Sequence, residues 1–294
     1  MNRQGPATHR RRTDMKKIAL MGAGGKMGCR ITDNLKGKPG FEIAYVEVGK
    51  EGIERLRAKG VTTTPQDQAV ADADYVILAV PDRLIGRISG DIVPKLKGGC
   101  KVIGLDPAAA YAGVLPPRKD VTYFVTHPCH PHMFNDETDP KAQKDWFGGI
   151  AKQDIVCALY QGPDADYREC EELAKIMYMP VAKSFRITVE QMAILEPAVV
   201  ETLGLCLVGA LKEAYDEAVR MGVPAEAAKS FVLGHARIEF AILFGYADFQ
   251  VSDGAKLAME KARDVIFKPD WKKNVMDIAR LRESVADITG SLNK

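Results

Sequence analysis

The chain has 294 residues, 46% of them hydrophobic and 27% charged, with a formal net charge of +2 at pH 7, a composition ordinary for a globular protein and long enough for a sizeable core and two domains. Charge this balanced speaks against a nucleic-acid partner. The longest nearly apolar stretch, Thr202 to Leu211, is about half of what a bilayer-crossing helix needs, and no opening segment resembles a signal peptide, so a cytoplasmic protein with no membrane partner is expected.

Residues 1–14 carry His9-Arg10-Arg11-Arg12 and no apolar periodicity, and read as a disordered basic extension, with Met15 as the natural start. The segment Lys16 to Gly28, KKIALMGAGGKMG, then reads as a buried strand running into a glycine-rich turn and a helix. Ile18 to Met21 form the short apolar run of a parallel strand covered on both faces. Gly22, Ala23, Gly24, Gly25, Lys26, Met27 and Gly28 make the turn, which aims the helix's unpaired N–H groups at a pyrophosphate. The third glycine stands at Gly28, one position later than the G-x-G-x-x-G pattern asks. A second strand, Phe41 to Val48, carries Glu47 nineteen positions after Gly28, where an acid accepts hydrogen bonds from the adenosine ribose. Glu47 repels a ribose phosphate, which favours NAD over NADP, although Lys50 keeps NADP open.

Gly52 to Lys59 reads as a helix and Val61 to Thr64 as strand-like. Ala73 to Val80 is the strongest strand signal, stopped by Pro81-Asp82 at the end that faces the nucleotide crevice of an open parallel sheet, so Pro81 and Asp82 join the cofactor candidates. A helix from Leu84 to Leu96, strands over Lys101 to Leu105 and Val121 to Thr126, a strand over Ile155 to Tyr160 and a helix over Ala165 to Met177 complete an α/β alternation. This pattern is a doubly wound parallel sheet of the Rossmann type.

The stretch following Thr126 is His127-Pro128-Cys129-His130-Pro131-His132-Met133-Phe134-Asn135-Asp136-Glu137, with three of the chain's five histidines inside six residues. Imidazoles on a proline-stiffened loop at a strand end bind a divalent metal or move protons. Their spacing does not match a structural zinc site, so a metal there would be catalytic and completed from elsewhere. The six cysteines are scattered without C-x-x-C pairs, which reads as reduced thiols.

Beyond Val181-Ala182 the strand signals fade. Thr188-x-x-Gln191 is a capping box, and apolar residues recur at helical spacing through Met192, Leu195, Val199, Leu203, Cys206 and Ala210 to Gly222. This predicts one helix of about 30 residues, roughly 45 Å long, at a domain or subunit interface. Inside it, Pro197 removes a donor and bends the helix. Glu196 at that bend is a carboxylate on an apolar helix that needs a cation or proton partner. Glu201 shares its face only if the bend brings the two together. A helix holding His235 and at least two more over Asp253 to Asp287 follow. The expected organisation is a basic extension (1–14), a Rossmann domain (15–185) and an all-helical domain (186–294).

The glycine turn, the single long helix and the run Glu213-Ala214-x-x-Glu217-Ala218-x-x-Met221-Gly222-Val223 together resemble the superfamily of 6-phosphogluconate and 3-hydroxyacid dehydrogenases. Where that superfamily has its catalytic lysine, this chain has Glu196-Pro197. The narrower resemblance, carried by Gly22 to Gly28, by the loop from His127 to Asp136 and by Leu195-Glu196-Pro197, is to the D-apionate oxidoisomerases. It implies NAD-dependent oxidation of a branched sugar acid, D-apionate to 3-oxo-isoapionate, with a carbon-skeleton rearrangement. In the scheme it implies, His127 and Glu196 hold a divalent metal, zinc before manganese or iron, and His130, His132 or Glu201 acts as base. The fold analogy also implies a homodimer built on the long helix. Two other readings remain: a metal-free NAD(P)-dependent dehydrogenase of a small hydroxy acid or arogenate-like substrate, and an NAD(H)-binding sensor without catalysis.

Overall fold

In the computed structural model, which describes residues 15–290, β1 (Lys16–Met21) turns Ile18 and Leu20 into one hydrophobic cluster and Ala19 and Met21 into another, all four essentially inaccessible. The expected basic extension, residues 1–14, lies outside the described residues. The same alternation recurs in β3 (Tyr75–Leu78) and β4 (Lys101–Gly104), where Ile77 and Ile103 face one cluster and Val76 and Val102 the other. Apolar residues on both faces of a strand require a layer on each side.

Helices α1 (Lys26–Leu35), α2 (Lys50–Ala58), α3 (Gln66–Val70), α4 (Asp82–Ile92), α5 (Ala108–Tyr111) and α6 (Asp164–Met177) supply those layers. Ile31 and Leu35 of α1 and Leu173 and Met177 of α6 close one face, and Val70, Ile85 and Ile92 close the other. Each such side chain, fully buried, contributes on the order of 1.5–3 kcal/mol.

The remaining strands are β2 (Phe41–Val46), β5 (Thr122–Pro128), β6 (Gln153–Gln161) and β7 (Val181–Arg186), and the sheet order is β2-β1-β3-β4-β5-β6-β7. Strands β1 to β5 run parallel, β6 is antiparallel to β5, and β7 is parallel to β6. The doubly wound reading holds for the first five strands, and the last two reverse direction. Edge strand β7 was not expected, because Lys183, Ser184 and Arg186 interrupt its apolar pattern. The strand-like Val61 to Thr64 reduces to a single bridge from Thr63 to Tyr45.

The chain divides into a unit of residues up to Ala193 together with Arg282 onward, and a second unit, Ile194–Leu281. The expectation set this division at residue 185 and gave the whole C-terminus to the helical part. The difference arises because α7 (Val189–Ala193) adds Val189 and Met192 to a cluster with Val125 and Ala158 of the sheet. The capping box is present: Gln191 N–H donates to Thr188 Oγ1 (3.1 Å) and Thr188 N–H to Gln191 Oε1 (2.9 Å). In α12 (Ile278–Thr289), Val285 is fully buried and belongs to the first unit.

The second unit is helical: a π-helical segment, Ile194–Gly204, then α8 (Leu205–Arg220), α9 (Ala225–Leu243), α10 (Asp253–Ile266) and α11 (Trp271–Met276). The long helix predicted from the sequence is therefore continuous over Val189–Arg220, and its middle, around Pro197, is π-helical. A π-helix pairs residues five apart, so the N–H missing at Pro197 is absorbed over the whole segment, and Thr202 Oγ1 donates to the Pro197 carbonyl (2.6 Å). By length and composition this 32-residue helix is apolar enough to cross a membrane, a test that the shorter run seen in the sequence does not meet and that an apolar helix covered by protein also passes.

Among the described glycines, the one with least room for a side chain is Gly28. A Cβ there would lie 2.0 Å from the Gly22 carbonyl oxygen and 2.8 Å from the Ala23 backbone, which explains why the third glycine stands at this position. Backbone cannot yield as a flexible side chain does, so Gly28→Ala should cost about 1–3 kcal/mol, as other overpacked sites do. Urea unfolding of the variant checks this; an unchanged midpoint would contradict it.

Candidate functional site

Strand β1 lies between β2 and β3, so the chain leaves it in opposite directions, and the carboxyl ends of β1 and β3 open a crevice at this switch point. A cleft of about 570 Å³ occupies it, lined by Gly22, Gly25, Glu47, Pro81, Arg87 and Ile88 among others. Gly22 takes a φ of +73°, and α1 starts immediately after its extended N-cap residue, Gly25, aiming its first N–H groups at the turn. Of the other expected cofactor residues, Ala23, Gly24 and Gly28 are buried behind the turn and Lys26 is exposed. Met27 packs against the core, and Asp82 opens α4. Val48 and Arg87 line the cleft without having been singled out in the sequence, and Lys50, weighed there only for the choice between NAD and NADP, lines it as well. They follow strand ends whose wall residues have no spacing signature.

Glu47 is fixed by backbone. Its Oε2 accepts from Gly24 N–H (3.0 Å) and its Oε1 from Val48 and Gly49 N–H (both 2.9 Å). A carboxylate has about four acceptor sites, so capacity remains for a ribose hydroxyl, while a ribose phosphate would meet a held negative charge. Arg55 Nε donates to the Gly24 carbonyl (2.7 Å) and ties α2 to the turn.

Further along the same sheet edge, β4 and β5 pair Gly104 with Val125, and two residues beyond each of these come Asp106 and His127. Their ligand atoms lie within 4.8 Å of each other, both residues half-buried. His127 Nδ1 is 2.9 Å from the Leu105 carbonyl and 3.9 Å from Asp106 Oδ2. A carbonyl only accepts, so in the neutral ring Nδ1 carries the proton and Nε2 the lone pair, the tautomer of a metal-ligating histidine. Asp106 Oδ1 accepts from the N–H of Ala108 (2.8 Å), the first residue of α5. Asp106 was not singled out in the sequence; its signal was its place two residues past the Gly104–Val125 pair, level with His127.

The three histidines of the loop have separate settings. His127 belongs to β5 itself, which continues to Pro128. His130 Nδ1 lies 3.1 Å from the Phe147 carbonyl, so its neutral ring also keeps Nε2 as acceptor, and the two rings are 6.4 Å apart. His132 is exposed, and its Nδ1 accepts from Phe134 N–H (3.0 Å), which shapes the turn with the Asn135 amide on its carbonyl. The loop's far side is organised by Asp145, which accepts N–H groups from Phe147, Gly148, Ile150 and Ala151. Burial opposes the charge on Asp145, but these four donors outweigh it and hold its carboxyl below the usual aspartate range.

Glu196 and Glu201 belong to the second unit, Glu196 half-buried and Glu201 exposed. Five residues apart in a π-helical segment, they lie about one turn from each other, so the wide turn sets them on one side.

Two family descriptions match the chain: acetohydroxy acid isomeroreductase, NADPH-binding domain, over residues 13–134, and phosphogluconate dehydrogenase (decarboxylating) C-terminal, over residues 135–289. A D-apionate oxidoisomerase of Rhizobium rhizogenes is 48% identical over 277 residues, covering 94% of this chain and all of that protein. The chain belongs to the D-apionate oxidoisomerase family. A second oxidoisomerase, from Cupriavidus necator, is 47% identical over 93% of this chain and 99% of its own length. A solved structure from Cupriavidus necator, a semialdehyde dehydrogenase NAD-binding protein in complex with calcium and NAD, superposes with a TM-score of 0.90 at 46% identity, covering 93% of this chain and 99% of that one. Membership of the oxidoisomerase family makes the chain an NAD-dependent oxidoreductase.

Two outcomes are expected from these contacts. Glu47→Gln leaves one acceptor oxygen where two serve three donors, so the affinity for NAD should fall about tenfold, roughly 1.4 kcal/mol, and the preference over NADP should narrow; titration of both nucleotides by protein fluorescence checks it. Because the Asp145 pKa is lowered on folding, its stabilisation is complete above the unfolded value of about 3.9 and is lost as the pH falls below that through the folded value. Asp145→Asn should flatten this acid limb and cost about 1.5–3 kcal/mol at neutral pH, read by urea unfolding across that pH range.

Proposed function

We propose that this NAD-dependent oxidoreductase converts D-apionate to 3-oxo-isoapionate, oxidising a carbinol carbon and rearranging the carbon skeleton with the help of a divalent cation. The observation that carries the reading is the placement of an imidazole and a carboxylate, His127 and Asp106, in register at the carboxyl ends of β4 and β5, on the sheet edge that also forms the nucleotide cleft. The relatives' activity supplies the substrate.

The donor set fits a cation. His127 presents Nε2 with its other nitrogen held by the Leu105 carbonyl, and Asp106 supplies carboxylate oxygen. We assign Glu196, three residues beyond Ala193 on the continuous helix, as a further ligand. Imidazole with carboxylates suits zinc, manganese or iron, and the similar structure from Cupriavidus necator holds calcium. When bound, the cation supplies Lewis-acid polarisation of substrate oxygens, and NAD supplies the hydride acceptor.

The chain's own residues do the rest. Glu47 and the glycine turn seat the nucleotide, and His130 accepts the hydroxyl proton at Nε2 as the carbinol is oxidised. Glu201 is the alternative acceptor; His132 is less suited, since its Nδ1 is committed to the turn.

The second unit bears on assembly. Leu205, Val208, Leu211, Phe231 and Leu233 of α8 and α9 are exposed in the single chain, more apolar surface than a monomer usually leaves uncovered, and a second copy of the chain covering it is part of this proposal.

The test measures NADH formation from D-apionate with and without a strong chelator, in the wild type, His127→Ala and Glu196→Gln. Chelator-sensitive turnover, with each variant reduced by at least about 100-fold, is expected. Undiminished activity in chelator, or full turnover in His127→Ala, would overturn the metal assignment.

A further inference from the structure

We propose that Arg30 is a positioning residue: from the nucleotide-binding helix its guanidinium holds the Phe147 carbonyl, and that carbonyl locks the ring and tautomer of His130. The inference rests on the reading of His130 as proton acceptor and adds what sets that histidine in place.

Arg30 lies on α1, five residues beyond the helix's N-cap Gly25, and is only 8% exposed. A guanidinium is costly to bury, and a well-packed apolar side chain would fill the same space more cheaply. Its hydrogen bonds go to two backbone carbonyls: Nη1 donates to Phe147 (2.9 Å) and Nη2 to Tyr178 (3.0 Å). Its Nε finds no acceptor among the described residues. The Phe147 and Tyr178 rings flank it at 5.6 and 5.8 Å. Burial lowers its pKa, opposed by the Tyr178 hydroxyl and the Asp145 carboxylate, and an arginine stays charged under these conditions.

The loop is built to receive it. Gly148 has a φ of +95°, and a Cβ there would stand 2.6 Å from Nη2 and 2.9 Å from Nη1. Any side chain at this position would push the guanidinium off the Phe147 carbonyl.

That carbonyl has a second donor, His130 Nδ1 at 3.1 Å, and its two lone pairs suffice for both. His130 is the one non-glycine residue with positive φ among those described, at 60°. Such backbone costs on the order of 1–3 kcal/mol and persists only where its surroundings over-determine it. Here the determinants are the Phe147 carbonyl and the Phe147 ring, 5.4 Å from the imidazole. Arg30 fixes Phe147 and Phe147 fixes His130, so the proton acceptor is referenced to the helix that seats the nucleotide.

The experiment uses the full chain carrying Arg30→Leu, Arg30→Lys or Gly148→Ala, each checked for folding by its melting curve. For folded variants, kcat should fall about 10–100-fold, the loss typical when the outer partner of a functional histidine is removed, with the KM for NAD unchanged within about twofold, since no nucleotide contact is removed. Long-range proton–nitrogen correlation spectra of histidine-labelled protein, with His130 assigned by its absence in His130→Asn, should show Nδ1–H alone in the wild type and a tautomer mixture in Arg30→Leu. If Arg30→Leu does not fold, Arg30→Lys, which keeps the charge and loses the fork, and Gly148→Ala, which leaves Arg30 in place, carry the test. Unchanged kcat together with an unchanged His130 tautomer in folded variants would overturn the proposal. Full turnover in His130→Asn would instead remove His130 as the proton acceptor, while the tautomer spectra still decide what Arg30 does.

Discussion

Five strands running parallel deliver five carboxyl ends to one edge of one sheet, and the candidate site residues of the first unit are attached to that edge. Parallel order demands crossovers, crossovers put helices on both faces, and both faces must then be apolar. Ile18 and Leu20 against Ala19 and Met21 satisfy that demand within a single strand. The reward is positional: the glycine turn after β1, Glu47 after β2, Pro81 after β3, Asp106 after β4 and His127 at the end of β5 share one rim. No long-range electrostatics are needed to gather them, because strand register places Asp106 beside His127.

Beyond β5 the chain reverses, and the reversal has its own use. The segment between β5 and antiparallel β6 must turn back over the edge, and it is there that Asp145, Gly148 and the buried Arg30 shape a loop around His130. A loop of this length would ordinarily be mobile. It is instead held by backbone donors converging on one carboxylate and by a cation inserted from α1, so the order of the loop depends on charged groups rather than on apolar burial. That makes it more sensitive to pH and to single polar substitutions than the sheet beneath it.

Much of this was legible in the sequence, for identifiable reasons. Doubly buried strands announce themselves as uninterrupted apolar runs, which is why β1, β3 and the nucleotide turn were found with little error. The Thr188–Gln191 capping box was legible because its two side chains bond locally. What escaped depended on partners distant in the chain. Edge strand β7 has one exposed side and a polar alternation. Asp106 gains meaning only from register with a strand some twenty residues later, and the roles of Arg30 and Gly148 exist only once α1 and the loop after β5 are side by side. Pro197 was legible as the loss of a donor, but the π geometry around it was not, because local sequence does not specify how the freed carbonyl is received.

The central claim is that oxidation and skeletal rearrangement occur together on one substrate at this sheet edge. It is tested most directly by giving the enzyme NAD and D-apionate carrying deuterium on its secondary carbinol carbon, then analysing both products by mass spectrometry. The account predicts one deuterium transferred to the reduced cofactor per turnover and a product whose carbon skeleton is that of 3-oxo-isoapionate. Reduced cofactor without deuterium, or an oxidised product that keeps the skeleton of apionate, would contradict it.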